Sequence, residues 1–111
     1  MDDKTAFHPE PGQCLPIAVT NVSAANALPG TFNGPSRAVR LVNKGAADIF
    51  FEFGPSTIVA TIGVAGSPGT PGDHILPAGQ TEVFQPGGAT HIAAVTAAGT
   101  ATLWVGMGVG L

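Results

Sequence analysis

Arg37-Ala38-Val39-Arg40-Leu41-Val42-Asn43, then Lys44-Gly45-Ala46-Ala47, then Asp48-Ile49-Phe50-Phe51-Glu52-Phe53: this stretch decides the fold. Val39 and Leu41 share one side of the first segment, with Arg40 on the other. In the second, Ile49, Phe51 and Phe53 point one way, and Asp48, Phe50 and Glu52 the other. Successive side chains leave an extended backbone on opposite sides, so period-two alternation marks a strand with one buried face. Two such segments about a short Gly-containing turn predict a hairpin. Asp48 and Glu52 are then expected to solvate its polar face or to pair with Arg40 across it, a surface pairing worth about 0–1 kcal/mol. Phe50 is the one aromatic residue on that otherwise polar face.

Downstream, turn residues cut the chain into further short apolar pieces. Gly54-Pro55-Ser56 leads into an apolar strand over residues 57–62. Gly66-Ser67-Pro68-Gly69-Thr70-Pro71-Gly72 follows; it has too few triplets for a collagen helix and reads as a projecting or partner-contacting loop. Residues 73–76 and 81–84 are brief strands about the turn Pro77-Ala78-Gly79-Gln80. Pro86-Gly87-Gly88 turns the chain again, and residues 90–96 and 100–105 read as a last hairpin around Ala97-Ala98-Gly99. Ala101, Leu103 and Val105 share one face of its second strand, with Thr102 and Trp104 on the other.

Residues 1–36 differ in composition. Pro9, Pro11, Pro16, Pro29 and Pro35 stand among glycines and small polar residues, with one short strand expected over residues 17–22. This predicts an extended N-terminal arm that follows another surface, and a body over residues 37–111. Seven to eight short antiparallel strands with no amphipathic helix give an all-β domain, a β-sandwich or jelly roll.

Charge sets the functional expectation. The 111-residue chain has four Lys plus Arg, seven Asp plus Glu and a formal net charge of −3. No lysine or arginine follows Lys44, and from residue 53 onward the only formal charges are Asp73 and Glu82. A free monomer usually keeps roughly 25–35% of its surface charged and guards strand edges with charge. A half so poor in ionic groups is expected to be covered by other subunits. Four basic residues argue against a phosphate-binding surface, so no nucleic-acid partner is expected.

Cys14 is the single cysteine, so no internal disulfide forms. Met1-Asp2-Asp3-Lys4 is acidic and is not read as a secretory signal. Residues 93–111 are uncharged, yet their glycines and threonines make a poor helix and no basic flank orients it, so no membrane span is expected. Asn21-Val22-Ser23 fits a glycosylation acceptor, which carries little without a secretory signal.

No catalytic, cofactor or metal site is expected. His8, His74 and His91 lack ligand spacing; a spatial site of His74, His91 and Asp73 is the one conceivable grouping. The chain has no nucleophile elbow, phosphate loop or dinucleotide fingerprint. Arg37, Arg40 and Lys44 form the only basic cluster, either an anchor for an acidic partner or a solvated strand face.

Arg40-Leu41-Val42-Asn43, Phe51-Glu52-Phe53-Gly54, Leu76-Pro77-Ala78-Gly79, Glu82-Val83-Phe84, Thr90-His91-Ile92-Ala93-Ala94 and Gly99-Thr100-Ala101-Thr102-Leu103 carry a resemblance. This run resembles the small β-rich virion proteins of tailed bacteriophages, above all capsid decoration (cement) proteins. The resemblance implies a non-enzymatic protein on the outside of a phage head, bridging capsomer junctions. It implies contacts with the major capsid protein and with copies of itself, as trimer or dimer, in a virion assembled inside a bacterial host. A head-fibre or tail-tip module recognising a host surface, or a head–tail structural subunit, is the alternative. Residues expected at the partner surface are Phe7, Pro9, Pro11, Leu15, Ile17, Arg37, Arg40, Lys44, Phe50 and Trp104.

Overall fold

Among the residues that the computed structural model describes, 7–30 and 36–110, eight strands form two four-stranded antiparallel sheets. They are β1 (His8–Val19), β2 (Ala24–Ala27), β3 (Arg37–Asn43), β4 (Ile49–Gly54), β5 (His74–Leu76), β6 (Thr81–Phe84), β7 (His91–Val95) and β8 (Ala101–Val109). One sheet runs β1-β8-β3-β6 and the other β2-β7-β4-β5. First pairs with eighth, second with seventh, third with sixth and fourth with fifth.

The alternation read from sequence places the core between the sheets. Ile17, Val19, Val39, Leu41, Leu103, Val105 and Met107 of one sheet meet Ile49, Phe51, Leu76, Ile92 and Ala94 of the other. A sheet apolar on one face is stable only when a second layer covers that face, and here each sheet covers its counterpart.

The pairing differs from two sequence expectations. β3 and β4 do not form a hairpin: they lie in opposite sheets, and the intervening turn is a corner. Arg40 and the acids Asp48 and Glu52 therefore sit on opposite sides of the sandwich and do not pair. The last two strands likewise part, β7 to one sheet and β8 to the other. Alternation and a short turn are common to hairpins and corners. Inward faces that must oppose each other across the core select the corner.

Asn43 holds the first corner. Its buried Nδ2 donates to the carbonyls of Ala47 at 2.9 Å and Leu76 at 3.0 Å. Its own backbone bonds the turn after β5, accepting from Gly79 N and donating to Gln80 O. Gly45 packs so closely here that a Cβ would lie 2.6 Å from that of Ala101.

Residues 57–62 form no strand. Instead residues 55–73 make a strap across the outside of the β2-β7-β4-β5 sheet, where Ile58, Ala60 and Ile62 cover Phe50, Ala93 and Val95. Asp73 closes the strap, accepting from Thr61 N at 2.6 Å and Thr61 Oγ1 at 3.1 Å, while Asp73 N donates to Thr61 O.

The expected N-terminal arm is revised over residues 8–27. β1 and β2 are edge strands of the two sheets, and Ile17 and Val19 belong to the core. Proline cannot donate to a ladder but is tolerated on an edge strand, so Pro9, Pro11 and Pro16 are compatible with β1 as they would not be with a central strand. Residues 1–6, 31–35 and 111 lie outside the described residues.

Candidate functional site

The two outer faces of the sandwich differ. The strap covers one; the other, on β1-β8-β3-β6, lies open. Register puts Pro16, Trp104, Val42 and Thr81 in one row across that open face. Cys14, Gly106, Arg40 and Val83 form the next row. Ala18 and Thr102 extend one end of the face and Pro9 the other, where Gly108 and Ala38 lie in register but are buried. Arg40 is the one charged residue among these positions. Trp104, 37% exposed, stands on the central strand β8 between Pro16 and Val42.

Three strands about seven residues long and the four-residue β6, spaced ~4.8 Å apart, give a face of about 400 Å² in outline. A free monomer's largest apolar patch is typically about 300–600 Å² and often functional, and a standard interface takes about 800 Å² from each partner. Glycines open the face locally. A Cβ on Gly108 would meet the Phe7 ring at 2.8 Å, so Phe7 folds over that glycine. Beside it, Pro9, Cys14, Arg40, Val42 and Gly106 help line a cleft of about 100 Å³.

The sequence-predicted partner residues divide accordingly. Phe7, Pro9, Arg40 and Trp104 come together on the open face. Pro11 is exposed in the β1 bulge, where five residue steps from Pro9 to Cys14 face two steps, Gly108 to Gly106, on β8. Lys44 is exposed at the β3–β4 corner. Leu15 and Ile17 are corrected: Ile17 is in the core and Leu15 packs against it, because after the bulge the odd positions of β1 face inward. Phe50 is corrected as well, since it lies beneath the strap. Arg37 turns to the β6–β7 loop, donating to Ala89 O at 2.8 Å and Gly87 O at 3.4 Å. Cys14, Pro16, Val42 and Val83 were missed. Their signal was present as the outward positions of alternating strands, but only register shows that they join.

A second feature lies where the edges β5 and β6 part. A cavity of about 370 Å³ opens there, lined by Phe51, Phe53, Phe84, His74, Glu52, Asp73 and Gln85. Phe51 meets Phe53, Phe84 and His74 edge-to-face at 5.7, 5.1 and 5.5 Å. The Nε2 of His74 lies 3.8 Å from Glu82 Oε1. A side-chain hydrogen bond to Asp73 raises the pKa of Glu52, aided by partial desolvation and by the Asp73 charge. His74 and His91 are on β5 and β7, separated by β4. Among the described residues no group of three or more His, Cys, Asp or Glu is placed to hold a metal. No helix of the described residues is long and apolar enough to cross a membrane.

No protein-family model, no curated protein and no solved structure matches this chain.

Proposed function

We propose that this chain is a non-enzymatic structural subunit of a virion, a decoration protein on the outside of a tailed-phage head. Its sandwich is read as a jelly roll, on the support that strand partners run first with eighth inward to fourth with fifth, the order left when one long hairpin is rolled up. The observation that carries the functional reading is the asymmetry of the outer faces. The chain covers one with its own strap and leaves the other largely apolar, about 400 Å² in outline, with Arg40 its one charge among the register-aligned positions and Glu10 lining the cleft beside it.

The occupant proposed for that face is the major capsid protein. A flat, charge-poor sheet suits a repeated subunit lattice: each contact is modest, and occupancy of many neighbouring sites, together with contacts between sister copies, adds avidity. The resemblance to phage virion proteins supplies the partner's class, and the sparse charge of the chain supplies the need for one.

Cryo-electron microscopy of particles containing this chain, with the copy number per particle measured by quantitative mass spectrometry, tests the reading. Many copies on the head, each with Trp104 toward the shell, are expected. A handful of copies at the tail or on fibres would move the chain to the adhesion class. A soluble monomer without affinity for any shell would end the proposal.

A further inference from the structure

The cavity between β5 and β6 has no part in the docking face: it opens between the sheets, whereas Trp104 and Arg40 point out of one of them. Its size, about 370 Å³, lies in the range of small-ligand sites, roughly 300–1,000 Å³. Its aromatic wall is preorganised, because Phe51, Phe53 and Phe84 fix one another with centroid separations of 5.7, 5.1 and 6.3 Å. Phe51 is 3% exposed and forms the floor, while Phe53 and Phe84 are half-buried walls. Three separate strands or strand ends thus bring their aromatic residues to one opening.

Charge then selects the ligand. Glu52 and Asp73 line the opening, and Glu82 stands beside His74 at its edge. Among the described residues no lysine or arginine lines it: Arg37 is bonded to the β6–β7 loop, Arg40 is on the open sheet face and Lys44 is at the corner. An anion would be repelled by the carboxylates, and a neutral sugar could hydrogen-bond to them but would bring no charge to complement theirs. A cation gains from both parts of the site, from the carboxylates by Coulomb attraction and from the rings through their quadrupole.

We propose that this cavity is a binding site for an organic cation, an alkylammonium or guanidinium group of the size of a lysine or arginine head. The group would lie at the mouth beside the touching rings of His74 and Phe84, with its hydrocarbon stem against Phe53 and its charge toward Glu52 and Asp73. The same chemistry is offered by a free amine and by a basic side chain of a partner.

Nuclear magnetic resonance titration of the full chain tests this with four probes: tetramethylammonium, arginine amide, an Ala-Arg-Ala peptide blocked at both ends, and glucose. The cations are expected to bind at millimolar strength and to shift the signals of His74, Phe84 and Phe53. Raising salt from 20 to 200 mM, roughly a threefold shortening of the screening length, should weaken them several-fold. Glu52→Gln, which removes a half-buried rim charge without opening the core, should weaken arginine amide by about two- to fivefold. Phe84→Leu should weaken it further; its folding is checked by the unchanged core methyl signals of Leu41 and Leu103. Tighter binding of the peptide than of tetramethylammonium assigns the source to a partner's side chain, and equal binding assigns it to a free amine. No shift with any cation, equal shifts with glucose, or binding indifferent to Glu52→Gln would overturn the proposal.

Discussion

Replacing Asn43 by alanine removes both amide donors that tie the β3–β4 corner to the body. The carbonyl of Leu76 is then left buried without its 3.0 Å donor, and that of Ala47 loses one at 2.9 Å. Two lost hydrogen bonds at ~1 kcal/mol each, plus ~1–2 kcal/mol for a stranded buried acceptor, total roughly 3–4 kcal/mol. Asn43 Oδ1 is itself buried without a partner, so its removal returns about 1 kcal/mol. The net loss is about 2–3 kcal/mol, a large share of the roughly 5–15 kcal/mol that stabilises a domain. At an unfolding entropy of about 2.1 cal/mol/K per residue, the midpoint should fall by about 11 °C. Thermal unfolding followed by circular dichroism reads this directly. Lys44→Ala, one residue on and exposed, should change stability by less than about 0.5 kcal/mol. Asn43→Ala melting within about 2 °C of the parent would refute the reasoning that this side chain pins the corner.

On the open face, Trp104→Ala should weaken attachment to shells beyond any loss of stability from its buried part, which thermal unfolding of the variant measures separately. A Trp of ~250 Å² that is 37% exposed offers about 90 Å², near 2.3 kcal/mol or about fifty-fold in affinity, readable by a particle pull-down titration. Cys14, exposed on the same face, should react freely with iodoacetamide in the isolated protein and become protected in assembled particles; equal labelling in both would place the interface elsewhere. Glu52 gives a pH effect of defined sign. Its folded-state pKa is raised by the Asp73 hydrogen bond, so the folded form holds this proton more tightly than the unfolded chain. That contribution is complete below the unfolded value and is lost as pH rises through the raised one. Hydrogen exchange of the strap amides should therefore quicken over that window more than base catalysis alone explains, and Glu52→Gln should abolish the excess.

Strand positions and inward faces were legible in the chain because they are local properties. Val39 and Leu41, Ile49 and Phe51, and Leu103 and Val105 declare their buried side by period-two spacing alone, and all of them are core residues. Turn chemistry was legible for the same reason. Residues 8–16 were not: proline and glycine disguised β1, whose place depends on the edge that β8 provides. Residues 57–62 of the strap suggest a strand because they are an apolar run entered from a turn, and Ile58, Ala60 and Ile62 do face the sheet. They cover Phe50, Ala93 and Val95 without taking ladder bonds, so the pattern was right and the pairing absent.

The amino-acid sequence by itself determined an all-β chain, the side of most strands that is buried, and a scarcity of charge. Tertiary structure alone decided which strand joins which sheet, and so which outward residues become neighbours. Corner and hairpin use the same local geometry, and the choice between them rests on opposing two apolar faces across one core. Pro16, Trp104 and Val42 meet because β8 lies between β1 and β3, although they are far apart along the chain. Phe51, Phe84 and His74 meet because β5 and β6 are the free edges of facing sheets. Long-range pairing of this kind is a property of the whole packed chain, and no window of sequence contains it.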